Sequence, residues 1–249
     1  SVVVLVPGYT GSKEDFGPIA SAVVSAGRRF VALDQRGQHQ SPGPDDPSAY
    51  GVEALADDLL DLRSALGQRV AHLVGHSFGG LVARAAVLRD PSAYASLTMM
   101  GSGPAAIGGA SAERVRALRM LMQRMTLDEI ARLTDDDPVN AARPADVRDF
   151  LRQRFVGTAA ASFDGMGEAI LTEPDRVGEL RATGVRVLVM HGEHDDVWLP
   201  QVQAEMASRL RASYAVLLGA AHSPAVESPE ETARVLAEFW DAVEVEVTG

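Results

Sequence analysis

The sequence predicts an α/β domain with a mostly parallel sheet that is covered by helices on both faces. Apolar, β-branched runs alternate along the chain with stretches of helical periodicity, an order typical of parallel strands joined by helical crossovers. The first run, VVVLV at residues 2–6, is apolar at every position, as a strand buried on both faces should be. A length of 249 residues suits one such domain with an insertion.

Five further strands are predicted from short apolar runs, and five helices from apolar residues three or four positions apart. The further strands are expected at residues 30–34, 70–75, 95–101, 185–192 and 214–219. The helices are expected at residues 16–27, 52–66, 78–89, 200–211 and 229–243. The first helix stops at Gly27, a residue typical of helix C-termini.

The alternation stops between residues 104 and 172, where helical patterns follow one another without a strand. Breaks between these patterns fall at residues 134–138 and 142–144. We therefore predict that residues 1–103 and 173–249 form the core. The segment 104–172, called the cap below, is predicted to be a helical insertion that lies over one end of the sheet.

Composition excludes several classes of function. The chain has no cysteine, which excludes disulfides, thiolate metal sites and cysteine nucleophiles. Its net charge of −11, without a basic stripe, argues against nucleic acid or an anionic membrane as partner. No apolar run approaches a membrane span and no signal peptide is visible, so we expect a cytoplasmic protein. Abundant arginine with a single lysine hints at a bacterial source, and the oligomeric state stays open.

The stretch LVGHSFGG, residues 73–80, places a serine between glycines at the end of a predicted strand. Gly75, Ser77 and Gly79 fit the pattern G-x-S-x-G in the strand-to-helix setting that a nucleophile elbow requires. The residues two positions to either side of the serine must be small, since a Cβ there would clash with the adjoining strand and helix. The turn also directs the first amides of the following helix at a bound group. Ser77 is therefore a candidate nucleophile.

A serine nucleophile needs a base, and the base needs a residue that orients it. The expected chain order is serine, then an acid, then histidine, and Asp195 and His222 each follow a predicted strand in that order. The acid is ambiguous by one residue. Counting from Gly192 favours Asp195, whereas counting back from Pro200 favours Asp196. We prefer Asp195, because its spacing from the strand end sets the reach to His222.

Four signatures together resemble the α/β-hydrolase family with a helical cap. They are VPGYTGS at 6–12, GHSFGG at 75–80, GEHDDVWLP at 192–200 and HSPAVESPEE at 222–231. They occur in the family's order and span nearly the whole chain. The resemblance implies that Ser77 is the nucleophile, that His222 is the general base and then acid, and that Asp195 orients His222. It also implies an oxyanion hole formed by the backbone amides of Tyr9 and Phe78.

The activity implied by this resemblance is that of a serine hydrolase that cleaves an ester through an acyl-enzyme, without a cofactor or a metal. We expect a small-molecule substrate with an apolar acyl group, since the cap is rich in methionine and leucine, and we expect Trp198 and Met122 to contact it. The motifs do not separate an esterase from a thioesterase, lactonase, C–C bond hydrolase, aminopeptidase or cofactor-free haloperoxidase. A ligand-sensing receptor that keeps the fold and the triad also stays open.

Some segments depart from the family pattern or suggest other sites. Pro7-Gly8 stands where many relatives have His-Gly, and His39 replaces a glycine in DQRGQHQS at 34–41, so that loop is expected to project differently towards the pocket. The pattern H-x-E-H at 191–194 lacks the spacing of a zinc-binding helix, so we predict no metal there. The segment GSGPAA at 101–106 is interpreted as the hinge between core and cap.

Overall fold

The computed structural model describes residues 1–67, 70–133 and 137–248, and it confirms the predicted fold class. Within these residues six parallel strands form one sheet in the order β2-β1-β3-β4-β5-β6. The strands are β1 (Val2–Val6), β2 (Arg29–Ala32), β3 (Val70–His76), β4 (Tyr94–Met100), β5 (Arg186–Gly192) and β6 (Ser213–Leu217). Each strand lies within two residues of its predicted bounds.

Helices connect these strands and cover the sheet. They are α1 (Gly17–Ser25), α2 (Val52–Ala65), α3 (Phe78–Arg89), α4 (Gly109–Met122), α5 (Leu127–Arg132), α6 (Pro138–Ala141), α7 (Ala145–Gly157), α8 (Ala160–Thr172), α9 (Val177–Ala182), α10 (Pro200–Leu210), α11 (Pro224–Glu227) and α12 (Pro229–Thr248). The last helix continues five residues beyond its predicted end at Val243, because no glycine or proline follows that residue before Gly249.

The core forms two apolar layers, one on each face of the sheet. Alternate residues of β1 supply both layers, because successive side chains of a strand point to opposite faces. Val4 packs in the layer that contains Leu55 of α2 and Leu81 of α3. Leu5 packs in the layer that contains Ile19 of α1 and other residues of α1 and α12. Burial on both faces explains why the strand sequences are continuously apolar rather than alternating.

The cap segment contains α4, α5, α6, α7 and α8 among the residues that the structure describes. The predicted break at 134–138 lies partly outside the described residues, and so does most of the acidic run that begins at Asp135. The break at 142–144 separates α6 from α7. The division into a core of residues 1–103 and 173–249 and a cap of residues 104–172 stays a prediction.

One buried arginine holds both segments through which the chain passes between core and cap. The Arg84 guanidinium, on α3, donates through Nη1 to the carbonyl oxygen of Pro104. Its Nη2 donates to Oε1 of Glu173 at 2.6 Å and to the carbonyl oxygen of Pro174 at 3.4 Å. The side chains of Arg84 and Glu173 are both largely buried. The helix that begins next to Ser77 is thus tied directly to both of these connecting segments.

We expect Arg84→Met to lower the free energy of unfolding by about 3–5 kcal/mol, because it leaves the Glu173 carboxylate buried without its counter-charge. Urea denaturation followed by circular dichroism measures the loss. The double variant Arg84→Met/Glu173→Gln should recover part of it, since the unpaired charge is gone. A single variant as stable as the parent would contradict this assignment.

Candidate active site

Ser77 lies in a strained turn between β3 and α3. Its backbone has φ of 54° and ψ of −122°, a left-handed φ that a residue with a Cβ seldom adopts. The Ser77 N–H donates to the carbonyl oxygen of Met100 at 2.8 Å, which fixes the turn against β4. Such strain persists only where the surrounding structure enforces it, and here the enforcing feature is close packing by glycines.

The glycines around Ser77 are required for steric reasons, as the sequence pattern predicts. A Cβ on Gly75 would lie 2.3 Å from the carbonyl oxygen of Gly79. A Cβ on Gly79 would lie 2.4 Å from the carbonyl oxygen of Val6, on the neighbouring strand β1. A Cβ on Gly80 would lie 2.4 Å from Oγ of Ser102. The chain can therefore turn this sharply only with small residues at these positions.

His222 and Asp195 come together at the same edge of the sheet, in the loops that follow β6 and β5. Nδ1 of His222 donates to Oδ1 of Asp195 at 2.9 Å. The Asp195 side chain is fully buried, whereas Asp196 is 65% exposed and pairs with Arg114 of the cap. The geometry therefore separates the two aspartates, since only Asp195 contacts His222.

Asp195 is held as a carboxylate by several donors. Burial alone would raise the pKa of Asp195, but the hydrogen bond and charge of His222 and donors on Val197 and Gln203 hold that pKa below its usual value. The Val197 N–H donates to Oδ1 and the Gln203 Nε2 donates to Oδ2, each at 2.9 Å. Because Nδ1 of His222 donates to this carboxylate, Nε2 is the nitrogen left free to accept a proton.

The loop that carries His222 is held by neighbours that the sequence did not single out for that role. The Glu227 carboxylate accepts from the backbone N–H groups of Ala221 and Ser223, one on each side of His222. Nε2 of His76 donates to the carbonyl oxygen of His222 at 2.8 Å. Burial, and next the charge of His222, lower the pKa of His76 to about 4, so His76 is neutral above pH 5.

Two glutamines hold the loop that follows β1, where Tyr9 lies. Nε2 of Gln35 donates to the carbonyl oxygen of Pro7 at 2.9 Å, and Nε2 of Gln38 donates to those of Gly8 at 2.8 Å and Tyr9 at 3.2 Å. These bonds fix the peptide planes of the loop. The Tyr9 hydroxyl donates to the carbonyl oxygen of Phe163 in α8, so the same residue also contacts the cap.

Phe78 is the first residue of α3, and its N–H belongs to the first helical turn, where amides have no intrahelical acceptor. The N-terminus of a helix also carries a partial positive charge. An amide at this place is suited to stabilise an anion that forms next to Ser77. Tyr9, whose amide is the predicted partner, lies in the loop after β1 and lines the same cavity as Ser77.

That cavity has a volume of about 340 Å³ and lies between the sheet edge and the cap. It brings Ser77 and His222 together with Gly8, Tyr9 and His76. Apolar side chains of the cap and of the Asp195 loop form another part of its wall, namely Ile107, Val115, Leu118, Ile170 and Val197. A pocket of this size and mixed lining is suited to a small organic molecule.

Trp198 and Met122, which were expected to contact substrate, lie elsewhere. The Trp198 ring is buried against Gly103, where a Cβ would come within 2.0 Å of it, and Nε1 donates to the carbonyl oxygen of Ala105 at 3.1 Å. Trp198 thus packs against the segment 101–106, which leads into the cap. Met122 lines a separate depression together with Arg119 and Asp164. Neither residue is among those that line the cavity around Ser77.

His39 has a left-handed backbone conformation, which glycine adopts more readily than other residues. Its φ is +43°, in the left-handed region, and its ring packs edge-on against Phe150 of α7 at 5.9 Å between ring centroids. The His39 N–H donates to Oγ1 of Thr158 at 3.1 Å. Both contacts join this loop to the cap segment. That the loop projects differently towards the pocket stays a prediction.

The first histidine of the H-x-E-H pattern at 191–194 makes hydrogen bonds within the core of the protein. His191 is buried, and its Nε2 is 2.8 Å from the hydroxyl of Tyr214 while Nδ1 donates to the carbonyl oxygen of Gly192. Across the described ranges, no cluster of three or more His, Asp or Glu side chains is arranged to hold a metal ion. Among the helices described, none combines the length and apolar composition needed to cross a bilayer.

Comparisons with known proteins agree with this architecture. In sequence, the chain is 36% identical over 100 residues to the putative carbamate hydrolase RutD of Variovorax paradoxus, covering 40% of this chain and 37% of that protein. It is 30% identical over 160 residues to the sn-1-specific diacylglycerol lipase ABHD11 of Mus musculus, covering 62% of this chain and 51% of that protein. The matches thus span about half or less of these relatives' length.

In structure, the chain is similar to a crystal structure reported for carboxylesterases of Nitrososphaera gargenis. The TM-score is 0.82 at 24% identity, covering 98% of this chain and 91% of the other, which shows a shared fold. A sequence model of the family described as alpha/beta hydrolase fold matches residues 1–128, slightly more than half of the chain. With that match, the parallel sheet and the strained serine turn in place, the chain belongs to the α/β-hydrolase family.

Proposed function

We propose that this protein is a serine hydrolase that cleaves a carboxylic ester of a small molecule through an acyl-enzyme. The observation that carries the proposal is the placement of Ser77, in its strained turn, in one cavity with a His222 that is hydrogen-bonded to Asp195. Membership of the α/β-hydrolase family supports hydrolysis as the reaction class.

In the proposed mechanism, Oγ of Ser77 attacks the ester carbonyl carbon while Nε2 of His222 takes the hydroxyl proton. The negative charge that forms on the carbonyl oxygen is stabilised by the N–H groups of Tyr9 and Phe78. The tetrahedral intermediate then collapses, and His222 returns the proton to the departing alcohol. Asp195 orients His222 and stabilises its transient positive charge.

Deacylation repeats these steps with water in place of the serine hydroxyl. His222 takes a proton from the water, whose oxygen attacks the acyl carbonyl carbon. The bond between that carbon and Oγ of Ser77 then breaks, His222 returns the proton to Oγ, and the carboxylic acid is released. These steps need only side chains and backbone amides of this chain. An ester is favoured over an amide because its alcohol leaves more easily, so no further leaving-group machinery is needed.

The test is hydrolysis of a series of 4-nitrophenyl esters with acyl chains of increasing length. We expect measurable kcat/KM for short and medium chains, because the cavity of about 340 Å³ has an apolar wall but limited volume. Long acyl chains should be poorer substrates. Absence of turnover across the whole series, together with a ligand-induced shift in melting temperature, would favour the ligand-sensing alternative and refute the ester hydrolase.

The pH dependence of kcat/KM gives a second readout on the same substrates. We expect one rising limb with increasing pH, because His222 must be neutral to accept the serine proton. His76, with its pKa lowered to about 4, is already neutral above pH 5 and should add no second limb there. A flat profile between pH 5 and 9 would contradict the proposed base.

A further inference from the structure

We propose that the cavity binds an ester that also carries a carboxylate, and that Arg114 and Arg154 of the cap recognise that carboxylate. This inference rests on the proposed ester hydrolysis and adds the class of substrate. Both arginines line the same cavity as Ser77 and His222, one from α4 and one from α7. A purely apolar ester would leave the N–H donors that these guanidinium groups have to spare without a ligand acceptor.

Arg154 is a largely buried side chain that keeps donors available. Its Nη1 pairs with Oδ1 of Asp15 at 2.5 Å and lies 3.5 Å from Oγ of Ser12. Its guanidinium packs over the Phe150 ring at 5.4 Å, and its side chain is only 12% exposed. Among the residues that the structure describes, the polar contacts of the Arg154 guanidinium are all made by Nη1. Its Nε and Nη2 can therefore still donate to a ligand.

Arg114 lines the cavity from α4, and its side chain is more exposed than that of Arg154. Its Nη2 donates to Oγ of Ser111 at 2.8 Å and to Oδ2 of Asp196 at 3.0 Å. The side chain is 58% exposed, so it can exchange solvent or Asp196 for a ligand oxygen at little cost. One face of α4 turns towards the cavity and presents both the arginine and apolar groups to it. The residues on this face are Ser111, Arg114, Val115 and Leu118.

The charges in and beside the cavity favour a small, singly charged anion. Its lining carries the two arginines and Asp15, and Asp196 pairs with Arg114 from outside that lining. Each guanidinium therefore already has one carboxylate partner, and a ligand would use the N–H donors that remain. A carboxylate can accept two parallel N–H donors of a guanidinium in the same plane.

The test compares each anionic ester with a neutral ester of the same shape. Mono-(4-nitrophenyl) adipate carries the carboxylate on the acyl side, and 4-nitrophenyl 6-methylheptanoate is its neutral counterpart. The ester 4-carboxyphenyl butyrate carries it on the alcohol side, with 4-isopropylphenyl butyrate as counterpart. We expect one anionic ester to exceed its counterpart in kcat/KM by roughly 10- to 100-fold, the size of a charge-assisted hydrogen bond.

The variants assign the preference to particular residues. Arg154→Met and Arg114→Met should each reduce the anionic-to-neutral ratio several-fold while neutral esters are still hydrolysed. Asp15→Asn should raise the ratio, because it removes the competing carboxylate on Arg154. Arg116→Met is the matched control, since Arg116 lies on the same helix, is 52% exposed and pairs with Glu113 away from the cavity. It makes the same change in net charge and should leave the ratio unchanged.

The outcomes separate this inference from the proposed function. Turnover of neutral esters without any anionic preference, or a preference that Arg116→Met lowers as much as Arg114→Met and Arg154→Met, would overturn the carboxylate site and leave the ester hydrolase intact. Failure to hydrolyse any of the four esters would count against the hydrolase itself. Should Arg154→Met fail to fold, the exposed Arg114→Met and the Asp15→Asn variant still decide the question.

Discussion

Replacement of Ser77 by alanine is expected to reduce kcat for 4-nitrophenyl esters by about 10⁴- to 10⁶-fold, because the attacking oxygen is removed while the cavity is retained. KM should change little, since the apolar wall and the backbone amides are untouched. Initial rates with 4-nitrophenyl butyrate measure the loss. The melting temperature should be close to that of the parent, as alanine keeps the Cβ and fits the same turn.

Covalent labelling provides an independent check of the same residue. A fluorophosphonate probe should modify the parent at Ser77, and peptide mass spectrometry should locate the adduct. The matched control is Ser223→Ala, which removes another serine hydroxyl that lines the cavity and should still be labelled. Labelling of Ser77→Ala, or a parent adduct at any other residue, would refute Ser77 as the nucleophile.

Replacement of Asp195 by asparagine is expected to lower kcat by about 10⁴-fold, because an amide at this position favours the wrong tautomer of His222 and cannot stabilise its positive charge. The one carbonyl oxygen of asparagine can still accept from the Val197 amide or from Gln203, though not from both, and circular dichroism should show that the protein remains folded. Steady-state kinetics with a neutral ester measure the effect without involving the arginines of the cavity.

Asp196→Asn is the matched control for this prediction, since it makes the same chemical change one residue away. Asp196 is exposed and pairs with Arg114, so its variant should hydrolyse neutral esters within a few-fold of the parent rate. Larger damage from Asp196→Asn than from Asp195→Asn would reassign the acid. If both variants lowered kcat by an equally small factor, neither aspartate would take part in the mechanism.

Much of the fold was predictable because its signals are local. Strands buried on both faces need continuously apolar runs, and helices need apolar residues three or four positions apart, so both could be read over short windows. The serine turn was predictable for a related reason. Its geometry demands small residues at 75 and 79, and each of these lies only two positions from Ser77 in sequence.

The hydrogen bonds that hold the loops of the candidate site in place were not predictable in this way. Gln203, Gln38 and Glu227 each act through a hydrogen bond whose existence depends on where a side chain points after folding. No residue pattern distinguishes them from other polar residues on a surface. The placement of Trp198 shows the same limit, since its position three residues after Asp195 in sequence does not reveal that its ring packs on Gly103.

The sequence by itself determined the order of strands and helices, the glycine turn around the serine, and the presence of an acid and a histidine after later strands. The tertiary structure alone decided which aspartate contacts His222, and that cap arginines line the same cavity as Ser77. The physical reason is that periodicity and steric demands act between neighbours in the chain. Hydrogen-bond direction and cavity lining arise between segments that are distant in sequence and meet only when the sheet and the cap pack together.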